Sequence, residues 1–141
     1  MAVAPADLVA EAQRVKLNSY SPYSKFRVGA ACLTGSGKVY CGTNVENASF
    51  GLTCCAERIA IFSAVSHGEK EVLQLAVSTD VDEVKWCCGA CCAVILEFGE
   101  AVQIHSSRLD GTFETKGIRD LVPFCFSKAD LDKPRPGSEH S

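Results

Sequence analysis

Residues 54–78 read CCAERIAIFSAVSHGEKEVLQLAVS, and this stretch decides the fold. Ile59, Ala60 and Ala64 fall on one face of a 3.6-residue repeat, so Cys54 to about Ser66 is predicted to be helix, with Gly68 as its C-terminal stop. Val72–Ser78 alternates and is predicted to be strand. Toward the C-terminus, Val81–Cys88 is irregular and Gly89–Phe98 reads as a second helix stopped by Gly99. Ala101–His105 and Phe113–Lys116 read as strands around Leu109-Asp110-Gly111, and Ile118–Leu121 opens a short helix. Toward the N-terminus, Asn44–Thr53 is rich in Asn, Ser and Gly and reads as a loop. Lys38–Thr43 and Val28–Leu33 read as strands joined by a Gly35-Ser36-Gly37 hairpin. Asn18–Ser24 is polar and broken by Pro22. Pro5 to about Leu17 carries Leu8, Val9, Ala12 and Val15 at helical spacing. Helices and strands therefore interleave, which predicts an α/β domain with helices on both faces of one sheet. No repeat or linker interrupts the pattern, so residues 1–141 are expected to form one domain, with about 133–141 as a mobile tail.

Composition narrows the function. Apolar residues make up 47% of the 141, charged residues 22%, and the formal net charge is -3. No Lys/Arg cluster is dense enough to track phosphates, so long nucleic acid is not an expected partner. No apolar run approaches the roughly 18 residues a membrane span needs. The opening Met1–Asp7 lacks the basic start and apolar centre of a secretory leader, and a cytoplasmic location is expected. Nine cysteines are the outlier. Their odd number and pairwise clustering argue against a disulfide framework and for metal or catalytic use.

Two segments carry that chemistry: Cys54-Cys55-Ala56-Glu57-Arg58 and Cys87-Cys88-Gly89-Ala90-Cys91-Cys92. Zinc favours thiolate ligands, and a C-x-x-C step lets two sulfurs reach one ion from a turn. Within the second segment only Cys88 and Cys91 have that spacing. Both segments lie at predicted helix N-termini, where the helix dipole favours thiolates. Cys55, Cys88 and Cys91 thus form a three-ligand set with a fourth position open, the mark of a catalytic site. Glu57, two residues past Cys55, is placed near the metal without being a ligand and suits general acid–base work. Arg58 stands beside the ligands and can offset their charge through N–H···S bonds. Two other readings stay open: a closed structural zinc module using four of the paired cysteines, and an inactive relic of such a catalytic site that only binds its ligand.

These blocks, taken in order, resemble the short homotetrameric cytidine deaminases from about Tyr20 to about Leu131. Tyr23–Ala31 (YSKFRVGAA) resembles that family's N-terminal block and Asn44–Phe50 (NVENASF) its nucleoside-binding block. Cys55-Ala56-Glu57-Arg58 and Cys88-Gly89-Ala90-Cys91 are similar to its two metal blocks. The resemblance implies a three-layer α/β/α domain with a central mixed sheet of about five strands. It also implies one Zn2+ per subunit and deamination of cytidine and deoxycytidine to the uridine forms in pyrimidine salvage. Asn44 and Glu46 would bond the ribose hydroxyls, Phe26 would pack against the pyrimidine, and the Ala56 backbone would read the base edge. Phe126 would enter the site of a neighbouring subunit in a homotetramer. The sequence departs from the family at Cys87, Cys92 and Ala93, where Pro, Arg and Gln are usual. The missing Arg leaves the thiolates with one fewer nearby cation, which implies a slower or differently tuned enzyme.

Overall fold

The structure is a computed structural model that describes residues 2–134, 136 and 137. Helix α1 spans Pro5–Lys16, followed by strands β1 (Val28–Thr34) and β2 (Val39–Thr43) and a 3-10 turn at Phe50–Leu52. Helix α2 (Ala56–Ser66), strand β3 (Val72–Thr79) and helix α3 (Gly89–Phe98) come next. Strands β4 (Gln103–Ser107) and β5 (Phe113–Gly117) and two short helices, α4 (Ile118–Leu121) and α5 (Lys128–Asp132), complete the order.

The five strands form one sheet in the order β2-β1-β3-β4-β5. β3 and β4 run parallel, and the other neighbours run antiparallel. Parallel neighbours need a crossover, and α3 supplies it. The expected mixed sheet of five strands is therefore the observed one. Strand alternation builds the layers. In β1, Ala31 and Leu33 face α1 and pack with Leu8, Val9, Ala12 and Ala76. Ala30 and Cys32 face the other way, against Ala56, Ala60, Ile61, Ala64, Ile95 and Leu96 of α2 and α3. A period of two in the strand thus serves two helical layers at once.

Two glycines mark where helices touch the sheet backbone. A Cβ on Gly42 of β2 would lie 2.4 Å from the Ala60 nitrogen of α2. A Cβ on Gly29 of β1 would lie 2.0 Å from the Ala12 carbonyl oxygen of α1. Helices α1 and α2 are seated on the sheet through these contacts.

Two elements begin two residues later than expected. The first expected helix begins at Ala56 rather than Cys54, because Cys54 pairs with Val45 in an isolated antiparallel bridge and stays extended. The strand expected at Ala101–His105 lies at Gln103–Ser107, where pairing with β3 sets its register. Helix α5 was not expected. Its N-cap is Ser127, whose backbone nitrogen donates to Asp130. The expected mobile tail falls in part on residues 135 and 138–141, which lie outside the described residues.

Candidate active site

Two helix starts meet beside the sheet. Cys55 is the N-cap of α2, with extended backbone angles of φ -73° and ψ 154°. Cys88 is the N-cap of α3, at φ -68° and ψ 167°. Cys91 sits in the first turn of α3 and is fully buried. The sulfurs of Cys55, Cys88 and Cys91 all lie within 4.8 Å of one another, and those of Cys55 and Cys88 are 3.9 Å apart. Sulfurs held tetrahedrally by zinc at about 2.3 Å stand about 3.8 Å from each other. The spacing therefore fits the ion. Among the described residues this is the one grouping of ligand-type side chains close enough to share a metal, and Cys54, Cys87 and Cys92 are not part of it.

The electrostatics fit as well. Hydrogen bonding with Cys91 draws the Cys55 thiol down to about 5 against the pull of burial, with Arg58 and Cys88 also contributing. The same sharing pushes the Cys91 thiol up. Cys55 is thus the sulfur most readily held as thiolate, with Cys91 as its hydrogen-bonding partner, a donor suited to a cation. The Arg58 Nη2 donates to Cys55 Sγ at 3.5 Å. Its Nε is buried with no partner among the described residues, and the thiolates raise its affinity for the proton, Cys55 foremost. Glu57 is only 6% exposed. Burial pushes its carboxyl above the usual carboxylate range and the charge on Cys55 adds to this. Its own backbone N–H, a hydrogen bond from Cys87 and the charge of Arg58 act in the opposite direction.

A cavity of about 330 Å³ opens over this floor, within the size range of small-molecule sites. Phe26, Asn44, Glu46, Cys55, Ala56, Glu57 and Cys88 all line it. Seven of the nine residues singled out from the sequence for metal, proton and substrate roles thus share one cavity. Cys91 lies behind Cys55 and Cys88. Phe126 does not line the cavity and is 68% exposed, in the segment between α4 and α5.

The wall residues are held by neighbours. Glu46 accepts from the backbone nitrogens of Tyr23 (3.0 Å) and Ser24 (3.1 Å) and from the Ser24 hydroxyl. These bonds, the hydroxyl first, hold its carboxyl below the usual range against burial. The Asn44 side chain is largely committed to the protein. Its Oδ1 accepts from Val28 N at 3.0 Å and from the Ser19 hydroxyl, and its Nδ2 donates to the Phe26 carbonyl at 2.8 Å. One amide hydrogen is left for a ligand.

Sequence reasoning passed over Trp86, Ser24 and Thr53, which also line the cavity. Trp86 stands two residues before Cys88, and that proximity was the available signal. Ser24 gave none, because its role depends on Glu46, which is distant in sequence. The departure at position 92 has a local explanation. Cys92 is 2% exposed and packs in the core beneath α3, where its Sγ donates to the Cys87 carbonyl at 3.5 Å. A guanidinium there would be a buried charge.

An α/β/α domain that gathers three thiols, a buried carboxyl and an arginine at the starts of two helices is a zinc-binding domain of the deaminase type. Residues 4–106 match the family model for the cytidine and deoxycytidylate deaminase zinc-binding region, and the chain belongs to that family. It is 42% identical over 125 residues to a cytidine deaminase of Sporosarcina psychrophila, covering 88% of this chain and 92% of that protein. It is 44% identical over 123 residues to a probable cytidine deaminase of Dictyostelium discoideum, covering 85% and 82%. The crystal structure of cytidine deaminase from Burkholderia pseudomallei superposes with a TM-score of 0.84 at 37% identity, covering 88% of this chain and all of that one.

Proposed function

We propose that this chain hydrolyses cytidine and deoxycytidine to uridine and deoxyuridine with release of ammonia. The observation that carries the reading is a single cavity that joins the Cys55/Cys88 edge of the thiol cluster and buried Glu57 at its floor to Glu46, Asn44 and Phe26 at its wall. Cys55, Cys88 and Cys91 are assigned as the ligands of one Zn2+ per subunit. When bound there, zinc supplies a Lewis acid that makes water nucleophilic near neutral pH.

The chain's own groups do the rest. The Glu57 carboxylate takes a proton from the attacking water and delivers it to N3 of the pyrimidine as C4 is attacked. It then carries the second proton to the exocyclic amine, which leaves as ammonia. Its burial suits both halves of this cycle, since a raised affinity makes the carboxylate a better base while leaving it able to give the proton up. The Ala56 backbone faces the base edge, and Phe26 packs against the ring. Glu46, held charged, and the free Asn44 amide hydrogen face the ribose hydroxyls. A site with such fixed polar groups rejects ligands that leave them unpaired. Arg58 screens the thiolates.

The same reading gives Phe126 to the cavity of a neighbouring subunit in a homotetramer. Its exposure in the isolated chain and its absence from its own cavity support this. One domain over residues 1–141, a cytoplasmic location and a place in pyrimidine salvage complete the proposal. Among the described residues no helix is long and apolar enough to cross a membrane. Three thiols rather than four in the cluster favour an open site over a closed structural one. The test is to incubate the zinc-loaded protein with cytidine and follow the ultraviolet change on conversion to uridine. Turnover supports the reading. Zinc-replete, folded protein without turnover overturns it.

A further inference from the structure

The segment that carries Phe26 has no secondary structure of its own. Lys25 sits at φ 58°, in the left-handed region that non-glycine residues rarely enter. Such a conformation persists only where the surroundings impose it. Four polar backbone groups that follow are tied to other residues. Phe26 N donates to Ser24 Oγ at 3.0 Å, and the Phe26 carbonyl accepts from Asn44. Arg27 N donates to Asp80 Oδ2 at 2.8 Å, and Val28 N donates to Asn44 Oδ1. Ser24 and Asn44 line the cavity, whereas Asp80 does not.

Asp80 follows the last residue of β3 and is itself anchored twice. The Arg27 Nε reaches its Oδ2 at 3.0 Å and its Oδ1 at 3.2 Å. From the other side comes Lys16, in the last turn of α1, with its Nζ at 3.9 Å from Asp80 Oδ1. The Lys16 side chain is 9% exposed, unusual for a lysine, and its Nζ also donates to the Thr79 carbonyl at 2.9 Å. Thr79 lines the cavity. The ammonium reaches this far because α1 lies directly on β1 at Gly29, the position whose Cβ would meet Ala12 and Lys16 backbone.

We propose that Lys16 and Asp80 are positioning residues for nucleoside binding: the Lys16–Asp80–Arg27 chain of contacts, buried at its Lys16 end, locks the Phe26 arch and the Thr79 end of β3 in the geometry that receives the pyrimidine. The inference rests on the proposed deaminase reading. Asp80 acts on the ligand only through the Arg27 backbone, and Lys16 only through Asp80 and Thr79. Weakening either leaves the thiols and Glu57 untouched and frees the arch to leave its strained conformation. Substrate binding then carries the ordering that the wild-type protein has already completed.

The test compares the full-length, zinc-loaded wild type with Asp80→Asn, Asp80→Ala and Lys16→Met. Zinc content and melting temperature identify variants that fold, and Asp80→Asn is the milder change because it keeps an acceptor for Arg27 N. In folded variants the KM for cytidine is expected to rise about tenfold for Asp80→Ala or Lys16→Met, with less for Asp80→Asn and kcat within about threefold of wild type. Binding of uridine, read through the fluorescence of Trp86, the chain's one tryptophan and a cavity residue, is expected to weaken in parallel. An unchanged KM, or kcat and kcat/KM falling together, overturns the inference. Inactivity of the wild type toward cytidine overturns the functional reading instead, so the two failures are distinguishable.

Discussion

Gly42→Ala tests whether the seating of α2 sets the catalytic geometry. The added methyl carbon would lie 2.4 Å from the Ala60 nitrogen and 2.8 Å from both the Ala56 carbonyl oxygen and the Ile59 Cβ. Two of those three are backbone atoms of a packed helix, so no flexible side-chain tip can move aside. Ordinary contact at this carbon begins at 3.4 Å, so α2 must withdraw by about 1 Å. Overpacking of this kind costs about 1–3 kcal/mol, or about 3–10 °C of melting temperature in a chain of this size. The same helix is capped by Cys55 and carries Glu57 in its first turn. A misplacement of about 1 Å at a reacting group lowers turnover by about 10²-fold. Steady-state cytidine turnover, thermal melts and zinc content measured on one preparation read all three. Gly51→Ala, where the methyl meets nothing within 4 Å, is the control for the melt. An unchanged melting temperature would refute the packing argument. A lowered melting temperature with full kcat would refute the link from α2 to Glu57.

Three further outcomes are expected. Glu57→Ala should lower kcat by about 10³-fold or more while zinc content by atomic absorption stays at one per chain, and near-normal turnover would remove Glu57 from the proton path. Arg58→Met withdraws the N–H donor at 3.5 Å from Cys55 Sγ and should weaken zinc retention about 10–100-fold in chelator competition, against no change if the arginine is only a surface group. Ser24→Ala removes the main cause of the lowered Glu46 pKa. A carboxyl held below its usual value stays charged until pH falls through that lower value. The KM for cytidine in the wild type should therefore hold flat through the ordinary carboxylate range of about 4.3 and rise only below it, whereas the variant's rise should begin at higher pH. Identical pH profiles would show that Glu46 does not meet the ligand as a carboxylate.

What the sequence made legible, and what it hid, follows the range of the forces involved. α3 was read to the residue because Gly89 and Gly99 punctuate it locally. The thiol pair Cys88 and Cys91 was read because its spacing is itself the constraint. The start of α2 was misplaced by two residues, since only a bridge to Val45 keeps Cys54 extended. α5 escaped because Lys128–Asp132 is short and polar, although Ser127 and Asp130 stand at capping distance and were readable as a cap. Lys16 carries no signal of its own in the sequence. Its burial depends on Thr79 and Asp80, more than sixty residues away in sequence, and no local pattern announces such a partner. The cavity role of Ser24 was hidden for the same reason.

Cys55 caps α2 and Cys88 caps α3, and the whole of β3 lies between them in sequence. An unfolded chain can offer an ion the clustered Cys87, Cys88, Cys91 and Cys92, but adding Cys55 closes a longer loop, whose entropic cost β3, once paired between β1 and β4, has already met. The third sulfur therefore arrives with the sheet. Capture through Cys55, Cys88 and Cys91 together reports that β3 is in place between them, and a nascent chain that ends before Cys91 lacks the last of these ligands.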